Sequence, residues 1–469
     1  MSQTLLRDIA EYCRHAGMAE STFGRLAVND GKLVNRLRLG GRVTTETADR
    51  VQAFITREPQ PGSLGGGLPG SLAGPAVNGV PMVLPAGVPA SAVSAVRNFR
   101  FYDNRQKYLL FVTTCGEKWA IAQRVGMELA NIHPQPPALR LFDAGTGDGT
   151  VLTRTMRAMH QRFATMPFYI VAKEISLEDV RLSLEKMPDR LFEHPATVLV
   201  MTNMYYAEAP WLTPHSVTAA TSLVWHELAL TGNTAHEFEE QIGDLQAFLG
   251  EHWQARASAA TGNPVYEKPV VLVIYREDHK FLLDQVRPRR GLTRAEYDLV
   301  IASQPYRARA PLEFKARRIL APLARALAPG GRLIAIHSHG HDPGLEIIQR
   351  IWPGEDPFTT DRHALLRAAK TELGSIGRAF NFGAYADARS LFRYDMHTLP
   401  SEVSESIGTS TLFAAWNAAV YVAQIEDERL SGAISSGAYL EATREVLRKH
   451  GGLWFWDESY VISRKRGSG

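Results

Sequence analysis

The stretch Leu139 to Leu152 reads LRLFDAGTGDGTVL, and the fold turns on it. Leu139, Leu141 and Phe142 form a short apolar run suited to a buried strand, Asp143 ends it, and Gly145, Gly147 and Gly149 follow at intervals of two. Glycine has no Cβ, so such a turn lets the backbone approach a ligand closely. Thr150 to Phe163 is rich in helix formers, which brings the free N–H groups of a helix start to the edge of the same loop. A dinucleotide fingerprint reads G-x-G-x-x-G, with pyrophosphate on the helix N-terminus. The pattern here is D-x-G-x-G-x-G, a different spacing.

That spacing resembles the first motif of the class I S-adenosylmethionine-dependent methyltransferases, whose ligand carries no phosphate to clamp. The resemblance implies an α/β fold: a Rossmann-like sheet with helices on both faces, binding S-adenosyl-L-methionine, with the loop around the methionine end. On it, Asp143, Gly145, Thr146 and Gly147 are expected to hold the cofactor. Phe168 to Ala172 is a second apolar run, leading to Glu174. An acid at the tip of such a strand accepts hydrogen bonds from ribose hydroxyls, so Glu174 is the expected sugar ligand. A third strand, Ala196 to Thr202, closes on Asn203, which the resemblance assigns to the adenine; the alternative is an Asn chosen for its tolerance of turns.

Two runs compete for the fourth strand: Thr221 to Trp225, leading into His226 and Glu227, and Tyr297 to Ala302, leading into Ser303-Gln304-Pro305-Tyr306. The second is better supported, because a helical pattern from Leu312 to Leu327 follows it, and then Pro329-Gly330-Gly331 before an apolar run, a turn common before the family's fifth strand. Residues 232 to 294 then read as an insertion. Amino-group methyltransferases carry a polar residue followed by Pro-Pro-aromatic after the fourth strand, whereas this chain has one proline and a Gln in place of the other. Ligands gather at the carboxyl ends of parallel strands, which singles out His226, Glu227 and His337 as candidate catalytic groups and Ser303, Tyr306 and His339 as candidate substrate contacts. His337, His339, His341 and Asp342 also invite a metal reading, but methyl transfer from a sulfonium calls for none. Leu453 to Ser463 reads as a last strand, suiting the family's antiparallel final hairpin.

Upstream, residues 97 to 131 are unusually aromatic, and in this family helices before the first strand often cover the cofactor. Tyr102, Lys107 and Tyr108 are candidates for that lid, a core role being the alternative. Pro59 to Val96 contains no charged residue and is dense in Gly and Pro, so residues 58 to 96 read as a flexible tether. Residues 1 to 57 show several short helical patterns joined by glycines, which resembles a helix-turn-helix domain of the lambda-repressor type. On that reading Lys32, Arg36 and Arg38, with Asn35 and Arg42, would meet duplex DNA; otherwise they are the solvated face of a small bundle used for docking or dimerisation.

The chain has 469 residues, 45% of them hydrophobic, enough for a large core in residues 97 to 469 beside the small N-terminal module. Its 52 basic and 49 acidic residues, net charge +3, are too balanced for a nucleic-acid binder overall. Cys13 and Cys115 favour a reducing compartment, and no segment offers an uninterrupted apolar membrane span, so a cytoplasmic protein is expected. The expectation is thus a methyltransferase with a small-molecule acceptor, a homodimer being left open. The alternatives are a DNA-binding regulator that senses the cofactor, or a DNA methyltransferase whose SQPYR loop receives a flipped base.

Overall fold

The computed structural model describes residues 2–15, 20–28, 30, 33–38, 45–56, 105–258, 263–398 and 407–466. The chain divides into two compact units, residues 1–87 and 88–469. Residues 58–96, expected to form a tether, lie outside the described residues, as do Lys32, Arg42 and Tyr102.

In the first unit four helices, α1 (Ser2–His15), α2 (Glu20–Val28), α3 (Leu33–Arg38) and α4 (Thr45–Thr56), enclose a small core. Leu5, Ile9 and Cys13 repeat every fourth residue, which turns one face of α1 onto Phe23, Leu33, Leu37 and Val51. Tyr12, Phe23 and Phe54 meet edge to face, with ring centroids 5.3 to 5.8 Å apart.

The second unit is built on a large sheet. Its strands are β1 (Leu139–Asp143), β2 (Phe168–Lys173), β3 (Thr197–Thr202), β4 (Val224–Leu230), β7 (Val270–Arg276), β8 (Tyr297–Ser303), β9 (Leu327–Ser338), β10 (Phe380–Gly383), β11 (Leu391–Asp395) and β12 (Trp454–Arg464), while β5 (Ala255–Ala257) and β6 (Pro264–Tyr266) pair separately. The spatial order is β10-β12-β9-β8-β1-β2-β3-β7-β4, with β11 also on β12. Strands β9, β8, β1, β2 and β3 run parallel, and β12 joins β9 antiparallel. The central strands are apolar on nearly every residue because both faces are covered, as parallel sheets require. On one face Leu141, Ile170, Leu199 and Ile301 pack against α6 (Glu117–Glu128), α7 (Thr150–Arg162) and α8 (Leu177–Glu185). On the other, Phe142, Val171, Val200 and Val300 meet Leu320, Leu323, Leu365 and Leu366 from helical segments. This is a Rossmann-like α/β sheet.

Tyr297–Ser303 is the strand beside β1, as its flanking signals indicate. The sheet extension differs from the expected insertion at 232 to 294. It begins earlier, at β4, and its apolar VVLVIY run is β7, a full member of the sheet antiparallel to β3. Because β7 reverses direction and β4 runs parallel to it, β4 opposes the central strands, which moves its carboxyl end to the other edge of the sheet.

Candidate functional site

β1 ends at Asp143 and the chain turns at once, the N–H of Ala144 donating to the Ile301 carbonyl at 2.8 Å. Gly147 and Gly149 adopt φ of +54° and +78°, the left-handed region glycine tolerates best. Gly149 also has no room for a side chain, since a Cβ there would lie 2.8 Å from the Ser183 Cα on α8. A Cβ on Gly147 would meet the Tyr108 hydroxyl at 2.9 Å. Tyr108 belongs to α5 (Arg105–Thr114) and its Oη accepts the Asp148 N–H at 3.2 Å, so this helix does close over the loop. Lys107, by contrast, pairs with Asp427.

Two charged side chains fix the loop. Lys186 Nζ donates to the Asp148 carbonyl and to Oδ2, both at 2.6 Å, and to Thr150 Oγ1 at 2.9 Å. Burial opposes ionisation of Asp148, but the hydrogen bonds from Lys186 and Thr150 and the charge of Lys118 hold its carboxyl below the ordinary range. From the neighbouring strand tip, Glu174 Oε2 accepts the Gly147 N–H at 2.8 Å, while Oε1 accepts those of Ile175 and Ser176 at 2.8 and 2.9 Å. A carboxylate offers about four acceptor positions, so three N–H groups leave one for a ligand hydroxyl.

Several buried polar atoms along this rim have no hydrogen-bond partner: Asp143 Oδ2, Thr146 Oγ1, Ser303 Oγ and Asp457 Oδ2. Such atoms cost about 1–3 kcal/mol each when left unsatisfied, so the four at the carboxyl edge make it a candidate ligand site. Burial, reinforced by the charge of Glu174 and opposed by the Gly145 N–H and Lys118, raises the Asp143 carboxyl to about 7. Gly145 itself faces open space, with no atom within 4 Å of a Cβ placed there. A cradle with a spare Glu174 acceptor and an unmatched Asp143 oxygen suits a cationic, hydroxyl-bearing ligand.

Beyond β8 the chain carries a second polar group. Gln304 takes φ of +47°, and its Nε2 lies 3.2 Å from each of Glu117 Oε1, Ser338 Oγ and Asp457 Oδ1. Asp457 is fully buried, and burial together with the charge of Glu117 pushes its carboxyl well above the ordinary range. Its neighbour Glu458 points to the opposite face, as adjacent strand residues must, and there accepts from His337 Nε2 at 2.9 Å and from the Arg362 N–H at 2.8 Å. His337 Nδ1 lies 3.0 Å from the Tyr306 hydroxyl, which is 2.9 Å from that of Tyr460.

These positions correct several expectations. His226 and Glu227 do not reach the loop: β4 lies four strand steps from β1, roughly 19 Å. His226 stacks on Phe248, with centroids 4.6 Å apart, and Glu227 pairs with Arg287 at 3.4 Å. Asn203 is not free for an adenine. Its Nδ2 donates to the Lys268 carbonyl at 2.9 Å and its Oδ1 accepts the Val270 N–H at 2.8 Å, stitching β3 to the start of β7. His337 has both ring nitrogens engaged, and Tyr306 is buried with its hydroxyl shared, so neither presents a free group to a substrate or a flipped base. His339 is held at the rim by its N–H to the Trp456 carbonyl, with its ring 3.9 Å from Glu458. Among the described residues no group of three His, Cys, Asp or Glu side chains could hold a metal ion. In the N-terminal unit Arg36 pairs with Asp30 at 2.8 Å and Arg38 with Glu20 at 2.6 Å.

Sequence reading passed over Lys118, Lys186, Glu117 and Asp457. Only the last carried a signal, since Asp457 and Glu458 are acids inside an otherwise apolar strand, WFWDESYVIS. A surface cleft of about 670 Å³, lined by Trp119, Arg154 and Arg393 among others, includes no residue of the glycine loop.

The strand order defines a Rossmann-like α/β protein, with a candidate ligand cradle where β1, β2 and β8 end. No family model matches the chain, and a search of curated proteins finds no match. Among solved structures it is similar to geranyl diphosphate methyltransferase in complex with GPP and sinefungin, at 11% identity, over 73% of this chain and 77% of that one, with a TM-score of 0.28. It is similar also to the rRNA methyltransferase aviRa from Streptomyces viridochromogenes, at 16% identity over 47% and 72% of the two chains, with a TM-score of 0.20. The fold assignment rests on the strand order, not on this likeness.

Proposed function

We propose that this chain is an S-adenosylmethionine-dependent methyltransferase acting on a small-molecule acceptor. The observation that carries the reading is the 2.8 Å hydrogen bond from the Gly147 N–H to Glu174, which joins the glycine loop to the acid on the adjacent strand tip. In this reading Asp143, Gly145, Thr146 and Gly147 hold the methionine end, and the spare acceptor position on Glu174 takes a ribose hydroxyl. The cofactor supplies an activated methyl group on a cationic sulfur. The protein's part is to orient the acceptor, exclude water and neutralise charge, with Tyr108 covering the loop. Calorimetry with S-adenosylmethionine and mass spectrometry of any co-purified nucleoside test this. Absence of both binding heat and a bound nucleoside would refute it.

The helical module supports a second proposal, binding of duplex DNA, because Asn35, Arg36 and Arg38 stand exposed on α3. The ion pairs of Arg36 and Arg38 compete with phosphate, so affinity should be modest and steeply dependent on salt. Equal affinity at low and high salt would exclude it.

A further inference from the structure

The cage around Gln304 is short of hydrogen-bond donors. The Gln304 amide nitrogen has two hydrogens, yet three oxygens stand 3.2 Å from it: Glu117 Oε1, Asp457 Oδ1 and Ser338 Oγ, the last alone of the three carrying a hydrogen of its own. Turning the amide over does not help, because Gln304 Oε1 already accepts the Ser338 N–H at 3.2 Å and would otherwise face two carboxylates. A fourth acceptor, Asp457 Oδ2, is buried with no hydrogen-bond partner on a residue of zero exposure. The nearby cation is Lys118, whose Nζ lies 3.2 Å from Glu117 Oε2, the oxygen not shared with Gln304. A buried acceptor without a donor is unfavourable, and more so when it is charged. A group carrying several N–H bonds and a positive charge would satisfy them together.

The place matters as much as the chemistry. Gln304 follows β8, Ser338 ends β9 and Asp457 lies opposite Ser338 on β12. Asp457 is therefore three strand steps from Asp143, roughly 14 Å along the rim from the glycine loop. That separation puts the cage beside the cofactor cradle instead of within it.

We propose that Glu117, Gln304, Ser338 and Asp457 form the subsite for a protonated nitrogen of the methyl acceptor, an ammonium or guanidinium group. The inference rests on the methyltransferase reading above, whose acceptor it specifies. A protonated nitrogen has no lone pair to offer, so Asp457 also receives its proton: the N–H bond breaks, its electron pair stays on nitrogen, and an O–H bond forms at Oδ2. Burial and the charge of Glu117 make the Asp457 carboxylate a stronger base, which suits it to take that proton.

The test is a ligand-observed NMR titration of the full chain with butylammonium, butylguanidinium and neutral 1-butanol, with and without saturating S-adenosylhomocysteine. The two cations should bind at least about tenfold more tightly than butanol, about 1.4 kcal/mol. The preference should persist with the cofactor product bound, and the stronger of the two cations identifies the acceptor group. Asp457→Asn, which keeps shape and removes charge, should erase most of the preference. Glu117→Gln should reduce it and carries the test if the first variant does not fold. Equal binding of butanol, displacement of the cations by S-adenosylhomocysteine, or unchanged selectivity in both variants overturns the proposal. Calorimetry with S-adenosylmethionine on the same samples separates the two claims. Cofactor heat without cation selectivity defeats the subsite alone, and selectivity without cofactor heat defeats the methyltransferase reading alone.

Discussion

Glu174→Gln probes the joint between the loop and the second strand. The wild-type carboxylate, 9% exposed, accepts from Gly147, Ile175 and Ser176 at 2.8, 2.8 and 2.9 Å. Hydrogen bonds to a charged acceptor contribute about 1.5–3 kcal/mol each, against about 0.5–1.5 for neutral ones. If the glutamine oxygen keeps Ile175 and Ser176, its NH2 faces the Gly147 N–H, donor against donor. One charged bond is then lost and two weaken by about 1 kcal/mol each, for a total of about 3.5–5 kcal/mol. Domain stabilities run about 5–15 kcal/mol, so urea unfolding should register the loss clearly. The same change removes the acceptor position assigned to ribose and should weaken S-adenosylmethionine binding about tenfold or more. A loss below about 1 kcal/mol, combined with unaltered affinity, would refute both the structural and the ligand role.

Gly149→Ala forces a φ of +78° and a Cβ against the Ser183 backbone, so it should destabilise by about 1–3 kcal/mol, whereas Gly145→Ala, facing open space, should melt within a degree or two of wild type. Equal melting of the two variants would contradict the packing of α8 on the loop. Asn203→Ala should cost about 1–3 kcal/mol by stranding the Val270 N–H, while affinity for an adenine-bearing ligand stays within about twofold; a selective loss of affinity would restore the adenine contact. Asp143, raised to about 7 chiefly by burial, is largely protonated in the free protein near pH 6, and a cationic ligand favours its carboxylate. Binding there should release a proton, with affinity rising as pH climbs through 7. Binding heats near pH 6 that do not vary with the ionisation enthalpy of the buffer would rule this out.

The central strands were legible because a parallel strand covered on both faces must be apolar along its length, as FYIVAK of β2 is. The loop was legible because backbone conformation is local: Gly147 and Gly149 do take positive φ. Meeting of loop and second strand followed from the same logic, and Glu174 lies where a neighbouring strand tip should put it.

What the chain order hides is which strands become neighbours and which way they run. His226 and Glu227 follow an apolar run much as Glu174 does, but the strand there runs from Val224 to Leu230, so both fall in its interior, and β7, entering the sheet antiparallel, carries β4 to an outer edge. Asn203 sits after β3 as an adenine ligand would, yet β7 arriving beside it consumes both ends of its amide. The cage of Glu117, Gln304, Ser338 and Asp457 draws on residues up to 340 positions apart and exists only once β12 has folded back beside β9. The sequence by itself determined the strands, the glycine turn and the acid beside it, because periodicity and φ preferences act over a few residues. Only the tertiary structure decided which polar groups share a site, because sheet order and strand direction are set by burying two faces at once, and nothing local encodes them.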